Sequence, residues 1–239
     1  MKIGQRFQGE TSYAAPADLS LPPLQPAAPG TESVRLPRPA GDGPGLWGLF
    51  RSRRSRRDYA GAALSSEELG ALLWAAQGLT GTTRGHSLRA APSAGGLYPL
   101  DLYAALPGGP CPPGIYRYEP EGHLLRLLLR GPALAPLASA ALGQDFVARS
   151  AVTLVLTAHP ERSVWRYEQR AWRYFYLDAG GIGENILLAA EALGLGACAV
   201  GAFYDSAVNE FLGLDGEGEV AVYMVAVGRQ APEQPGRGA

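Results

Sequence analysis

"GIYRYEPEGHLLRLLL", residues 114–129, is the stretch on which the fold class turns. Tyr116 and Tyr118 alternate with Arg117, Glu121-Gly122 interrupts the run, and Leu124 to Leu129 resume it. Alternation, a short polar break and a second apolar run spell a β-hairpin. Two strands joined by so short a turn must run antiparallel. Upstream, "LDLYAAL" (100–106) reads as a neighbouring strand. Downstream, "AVTLVLTA" (151–158) is a short apolar run rich in β-branched residues, the pattern of a buried strand.

Helical sequence surrounds this β region. In "LSSEELGALLWAAQGL" (64–79), Ser65 and Glu68 have capping-box spacing, and Leu69, Leu72, Leu73 and Ala76 recur at helical intervals. Gly78 is expected to close that helix as the glycine just past its end. The loop "TGTTRGHSLRAAPSAGGLYP" (80–99) follows. Further helix is expected over 132–148 and, at greatest length, over about 163–193. "ACAVGAF" (197–203) reads as extended, "DSAVNEFLGL" (205–214) as a short helix opened by Asp205 as N-cap, and "VAVYMVAVG" (220–228) as a last strand. The fold class is therefore α+β, with a mixed, mainly antiparallel sheet flanked by helices. A doubly wound dinucleotide fold is the weaker alternative, because no GxGxxG follows an early strand.

The chain divides into a Pro-rich N-terminal arm (1–45), one domain (46–230) and a flexible tail (231–239). Eight of the 20 prolines fall between 14 and 45, which predicts an extended, irregular lead-in. "LWGLF" (46–50) then starts a short helix that delivers five arginines in the seven positions 51–57. That run resembles a nucleic-acid patch in isolation. The whole chain argues otherwise: 21 basic residues are offset by 22 acidic ones, so no domain-wide positive field exists to meet a phosphate polymer. No long apolar span and no secretory h-region are present, and the expected location is cytoplasmic. Cys111 and Cys198, with His86, His123 and His159, show no metal-ligand spacing. No GxSxG elbow supports a serine hydrolase.

Three stretches have the chemistry of a binding site. In "RRSRRDY" (53–59) guanidiniums flank Ser55 and offer planar forks to phosphate oxygens; a solvated or salt-bridged basic face fits the same residues. In "PSAGGLYP" (92–99) two prolines stiffen the ends while Gly95 and Gly96 open the backbone to a planar ligand; an ordinary turn before a strand reads the same way. "GLGACAVGAF" (194–203) has small residues that suit either a ligand or tight helix-to-strand packing. Arg166, Arg170 and Arg173 fall at helical spacing on one basic face beside the aromatic residues Tyr167, Trp172, Tyr174, Phe175 and Tyr176.

Taken in order, these stretches resemble the flavin-dependent nitroreductase superfamily, and within it the SagB/ThcOx-type dehydrogenase branch. The likeness runs from "IGQRFQGETSY" and "VRLPRPA" through "RRSRRDY", "RAAPSAGGLYPLDLY" and "PGIYRYEPEGHLL" to "QRAWRYFYLDAGGIGENILLAAEALGLGACAVGAFYD" and "VYMVAVG". The resemblance implies an interlocked homodimer with FMN at the interface, hydride transfer at flavin N5, and NAD(P)H as an electron donor open to the family. Arg53, Arg54, Ser55 and Arg57 would hold the FMN phosphate, ribityl chain and pyrimidine edge. Pro92, Ser93, Ala94 and Gly95 of the other subunit would line the isoalloxazine, and Val200 and Gly201 would present backbone near its reactive edge. Arg229 would add to the phosphate site. Substrates implied are a peptide azoline, within a complex that includes a cyclodehydratase, or a small nitro or quinone compound. Arg166 and Tyr167 are the expected catalytic pair, at the place where azoline-oxidising members resemble one another in a Lys-Tyr pair. Arginine is a far poorer base than lysine, which leaves a non-catalytic flavin-binding subunit of a peptide-modifying complex as the alternative.

Overall fold

A computed structural model describes residues 3–26, 33–37, 45–83 and 85–231. The core is an antiparallel sheet built outward from the hairpin of β6 (Gly114–Glu119) and β7 (Leu124–Arg130). Its turn is tightened by His123, at φ 47°, rather than by Gly122. β5 (Leu100–Leu106) pairs with β6 on one side and β8 (Val152–Ala158) on the other. β10 (Val220–Arg229) then pairs with β8, and β9 (Leu195–Val200) closes that end. β1 (Gln25–Pro26) and β2 (Ser33–Arg35) both pair with β7 at the opposite edge. Every pairing between these strands is antiparallel, and the parallel component expected of a mixed sheet is reduced to one isolated bridge, Ser55 to Ala197.

All seven residues of β8 are buried, because both faces of the sheet are covered. One face carries α3 (Ser66–Gln77) and α7 (Ala171–Ala192), with Leu69, Leu72, Leu73, Phe175, Ile182 and Ile186 in the core. The other carries α4 (Leu134–Ala140), α5 (Asp145–Ala148) and α8 (Asp205–Leu212), packed through Leu137, Phe146, Val208 and Phe211. The α3 capping box forms as expected: Ser65 Oγ accepts from Glu68 N at 3.2 Å and Glu68 Oε2 accepts from Ser65 N at 2.7 Å.

Gly78 closes α3 as expected, its N–H donating to Trp74 O at 2.7 Å in an extended conformation (φ −60°, ψ 148°), and a side chain there would run into Trp74. Three local expectations are corrected. The stretch 80–99 is not all loop, since β3 (Leu79–Thr83) and β4 (His86–Arg89) pair as a second hairpin, with Gly85 at φ 79° just before β4. Asp205 is the first helical residue of α8, with Tyr204 as N-cap; its carboxylate accepts from Gln8 Nε2 at 2.9 Å instead of capping the helix. The expected long helix is broken into α6 (Glu161–Tyr167), a 3-10 turn (168–170) and α7, with the break at Glu168 (φ 49°, ψ −136°). Among the described residues of the arm, Gln25–Pro26 and Ser33–Arg35 are extended and join the sheet, and a helix, α1 (Ile3–Thr11), precedes them. Pro26 is tolerated in β1 because that strand is an edge. Residues 27–32 and 38–44 of the arm and 232–239 of the tail lie outside the described residues. Among the described residues, no helix is long and apolar enough to cross a membrane.

Candidate active site

α2 (Leu46–Ser52) forms as expected and ends where the arginine run becomes extended. Ser55 bridges Ala197 of β9 in parallel, and Arg56 N donates to Ala197 O at 2.9 Å. Buried Tyr59 fastens the segment, donating from its hydroxyl to Arg56 O at 2.8 Å and Ala226 O at 3.1 Å. Ser55 and Arg57 both reach the Cys198 thiol, although burial, the larger influence, pushes its pKa up. Arg57 stands 5.7 Å from the Phe146 ring centre, and Arg53 Nε lies 4.0 Å from Glu184 Oε1 of α7. Arg54 instead folds back, its Nη1 donating to Arg51 O and Arg53 O at 3.1 and 2.8 Å. Arg56 Nε is buried with no hydrogen-bond partner among the described residues.

Arg229 is placed differently from the expectation. Its guanidinium is engaged by the capping-box carboxylate, with Nη1 to Glu68 Oε1 at 3.0 Å and Nη2 to Oε2 at 2.8 Å, while Nε donates to Ala63 O. Only its backbone borders the arginine segment, where Ala60 N donates to Arg229 O at 2.9 Å. Val200 ends β9 buried against β10, and the exposed Gly201 follows it beside Tyr223.

The turn 92–96 is built around Asp178 of α7. Ser93 Oγ donates to Asp178 Oδ2 at 2.6 Å, and Ala94 N lies 3.2 Å from both carboxylate oxygens. Burial raises the Asp178 pKa, and these two donors oppose the rise. Ser93 Oγ also accepts from Tyr98 N at 3.0 Å, which bends the chain through Gly95 at φ 63°. The space a Gly95 side chain would need is taken by the Tyr167 hydroxyl, with Arg166 Nη1 beside it at 3.4 Å. The expected catalytic pair and the expected ring-lining turn therefore meet in one chain. Asp178→Ala is expected to lower stability by roughly 2 kcal/mol, through loss of two hydrogen bonds to a buried carboxylate. Asp178→Asn should lose less, because an amide oxygen still accepts; urea unfolding of both variants checks this. Both clusters lie along α7, one at Asp178 and the other near Glu184, and no hydrogen bond or ion pair joins them among the described residues.

A third constellation carries no motif in the sequence. His159 Nε2 lies 3.1 Å from Asp101 Oδ2 and 3.3 Å from Glu219 Oε1. Ligand-capable atoms of these three residues fall within 4.8 Å of one another. The carboxylates are already satisfied: Arg162 Nη1 donates to Asp101 Oδ1 at 2.6 Å, and Tyr103 and Thr157 donate to Glu219 Oε1 at 2.8 and 2.5 Å. Burial opposes charge on His159, but its two carboxylate partners outweigh it and raise the pKa to about 9. The set is charge-balanced by Arg162 and protonated His159, and is a structural clamp joining β5, β8 and β10. Separations of 58 and 60 residues between its members leave no local signal in the sequence.

Comparison with known proteins agrees with this architecture. The model of the family described as the nitroreductase family matches residues 50–229. A protein of Methanocaldococcus jannaschii designated a nitroreductase is 37% identical over 179 residues, covering 74% of this chain and 87% of its own length. A solved structure designated a nitroreductase, from Ralstonia eutropha JMP134, superposes with a TM-score of 0.73 at 31% identity, over 90% of this chain and 100% of that one. A chain of the E. coli microcin synthetase McbBCD complex, solved with truncated pro-MccB17 bound, shares the fold at a TM-score of 0.69 and 19% identity, over 96% of this chain and 92% of that one.

Proposed function

Because the chain belongs to the nitroreductase family and is thereby an oxidoreductase of a kind that generally uses FMN, we propose that it is an FMN-dependent dehydrogenase of the SagB/ThcOx type, acting as a homodimer. One observation carries the reading: a segment pinned to β9 at Ala197 brings Ser55 and Arg57 together at Cys198, with Arg53 two residues before Ser55 in the same segment. Two guanidinium forks around a hydroxyl match the donor requirement of a phosphate monoester. FMN, when bound, supplies two-electron hydride chemistry. The chain's own residues hold and orient it. Arg53, Ser55 and Arg57 bind the phosphate end, with Arg54 flanking; Val200 and Gly201 offer backbone beside the ring. Pro92, Ser93, Ala94 and Gly95 of the partner subunit line its face, in a shape fixed by Asp178. Arg229, committed to Glu68, is left out of the phosphate set.

Tyr167 bears the hydroxyl beside Gly95, and in this reading it holds or passes a proton there. Arg166, stacked 5.5 Å from the Tyr167 ring centre, orients that hydroxyl and cannot itself act as a base. This division of roles favours reduction of a quinone or nitro compound over azoline oxidation. A visible spectrum of the purified protein should show a flavin that NAD(P)H bleaches, with steady turnover on a quinone. A protein that neither carries nor takes up FMN sinks the reading. Bound FMN that no hydride donor reduces would support the non-catalytic alternative.

A further inference from the structure

The break at Glu168 changes what Arg166, Arg170 and Arg173 can do. On an unbroken helix they would form a solvated stripe. Instead the chain turns sharply, and Tyr167 packs edge-on against Tyr174 with ring centres 4.8 Å apart. Arg166 lies 5.5 Å from the centre of the first ring and Arg170 5.8 Å from the second. Stacking on an aromatic face restrains a guanidinium while leaving its N–H edge open. All three arginines are exposed, and among the described residues none has a carboxylate within ion-pair distance. Asp178, the acid beside the turn, is occupied by Ser93 and Ala94. The excess is local, since the whole chain carries a formal net charge of −1.

The geometry points to a recognition site for an anionic group on the small molecule that exchanges electrons with the flavin, with Arg166 and Arg170 as its specificity-determining residues. This inference rests on the proposed flavin site. Arg166 and the Tyr167 hydroxyl overhang Gly95, so a molecule stacked at that turn would meet the Arg166 guanidinium at its rim, with Arg170 beyond it on the Tyr174 ring that packs against Tyr167. A phosphate monoester on the electron donor and a carboxylate or sulfonate on the acceptor present the same chemistry. Either would be drawn in by a field that reaches about 10 Å at 0.1 M salt.

The test uses FMN-loaded full-length protein, its flavin confirmed by spectrum, under anaerobic stopped flow. One arm compares flavin reduction by NADPH and NADH, which differ in one phosphate. The other compares reoxidation of the reduced protein by 1,4-naphthoquinone and by its 2-sulfonate. In each arm the readout is the rate ratio of the more to the less anionic partner in wild type divided by that in Arg166→Gln/Arg170→Gln, so intrinsic differences in potential cancel. A quotient of about ten is expected in at least one arm, within the range of electrostatic steering. The arm that responds identifies donor phosphate or acceptor anion. The same ratio in wild type should fall as salt rises from 20 to 500 mM. Ratios unchanged within twofold in both arms, in a protein that still binds FMN, overturn this inference and leave the flavin site standing. A protein that takes up no FMN overturns both.

Discussion

Arg57→Ala is expected to weaken FMN binding by roughly 10- to 150-fold, the equivalent of losing one charge-assisted hydrogen bond worth about 1.5–3 kcal/mol. The reason lies in the direction of the side chain. The parallel bridge at Ser55 seats the segment on β9, and Arg57 shares with Ser55 an approach to Cys198. Arg53→Ala should act in the same direction. Arg51, in the last turn of α2, is exposed and lies before the extended segment, so Arg51→Ala should change affinity by less than about twofold. Arg54→Ala should fall between, because Arg54 is held by carbonyls of its own segment. Flavin fluorescence titration of the four apoproteins decides the matter. Equal losses from all four would mean a diffuse basic patch with no phosphate seat.

Stability should fall by on the order of 3 kcal/mol between pH 6 and pH 9, and His159→Gln should abolish most of that fall. His159 has a pKa of about 9 in the folded chain against an ordinary value of 6.5. Its contribution is therefore full below pH 6.5 and is lost as pH rises through 9, at about 1.36 kcal/mol for each pH unit that separates the two values. Burial resists the charge; Asp101 and Glu219 are what raise the value. Those carboxylates are held below their ordinary range despite burial, chiefly by hydrogen bonds from His159, so their contribution has the opposite sense and is lost only in acid. Urea midpoints for wild type and variant at both pH values provide the check. A wild type as stable at pH 9 as at pH 6 would show that the clamp does not hold the proton.

What could be read from sequence follows the range of the forces involved. The hairpin at 114–129, the strand at 152–158 and the Ser65–Glu68 box are set by alternation, burial and contacts over three residues. The 79–89 hairpin was illegible because it buries little: four of the five residues of β3 are exposed, so the apolar alternation that marks a strand is missing. The break at Glu168 carries no proline or glycine, and its strained backbone is held by tertiary contacts such as Gly4 N to Gln169 Oε1 at 3.0 Å. At the candidate site, motifs named the residues, but only the fold shows that Gly95 and Tyr167 touch or that Arg229 belongs to Glu68.

The seating of Ser55 on Ala197 also bears on solubility. β9 is the last strand of its sheet, and beyond it the segment 53–57 supplies the bridge that occupies its outer edge. An edge left bare offers unpaired donors and acceptors to other chains. Seated there, the segment shields the middle of that edge from pairing with another chain.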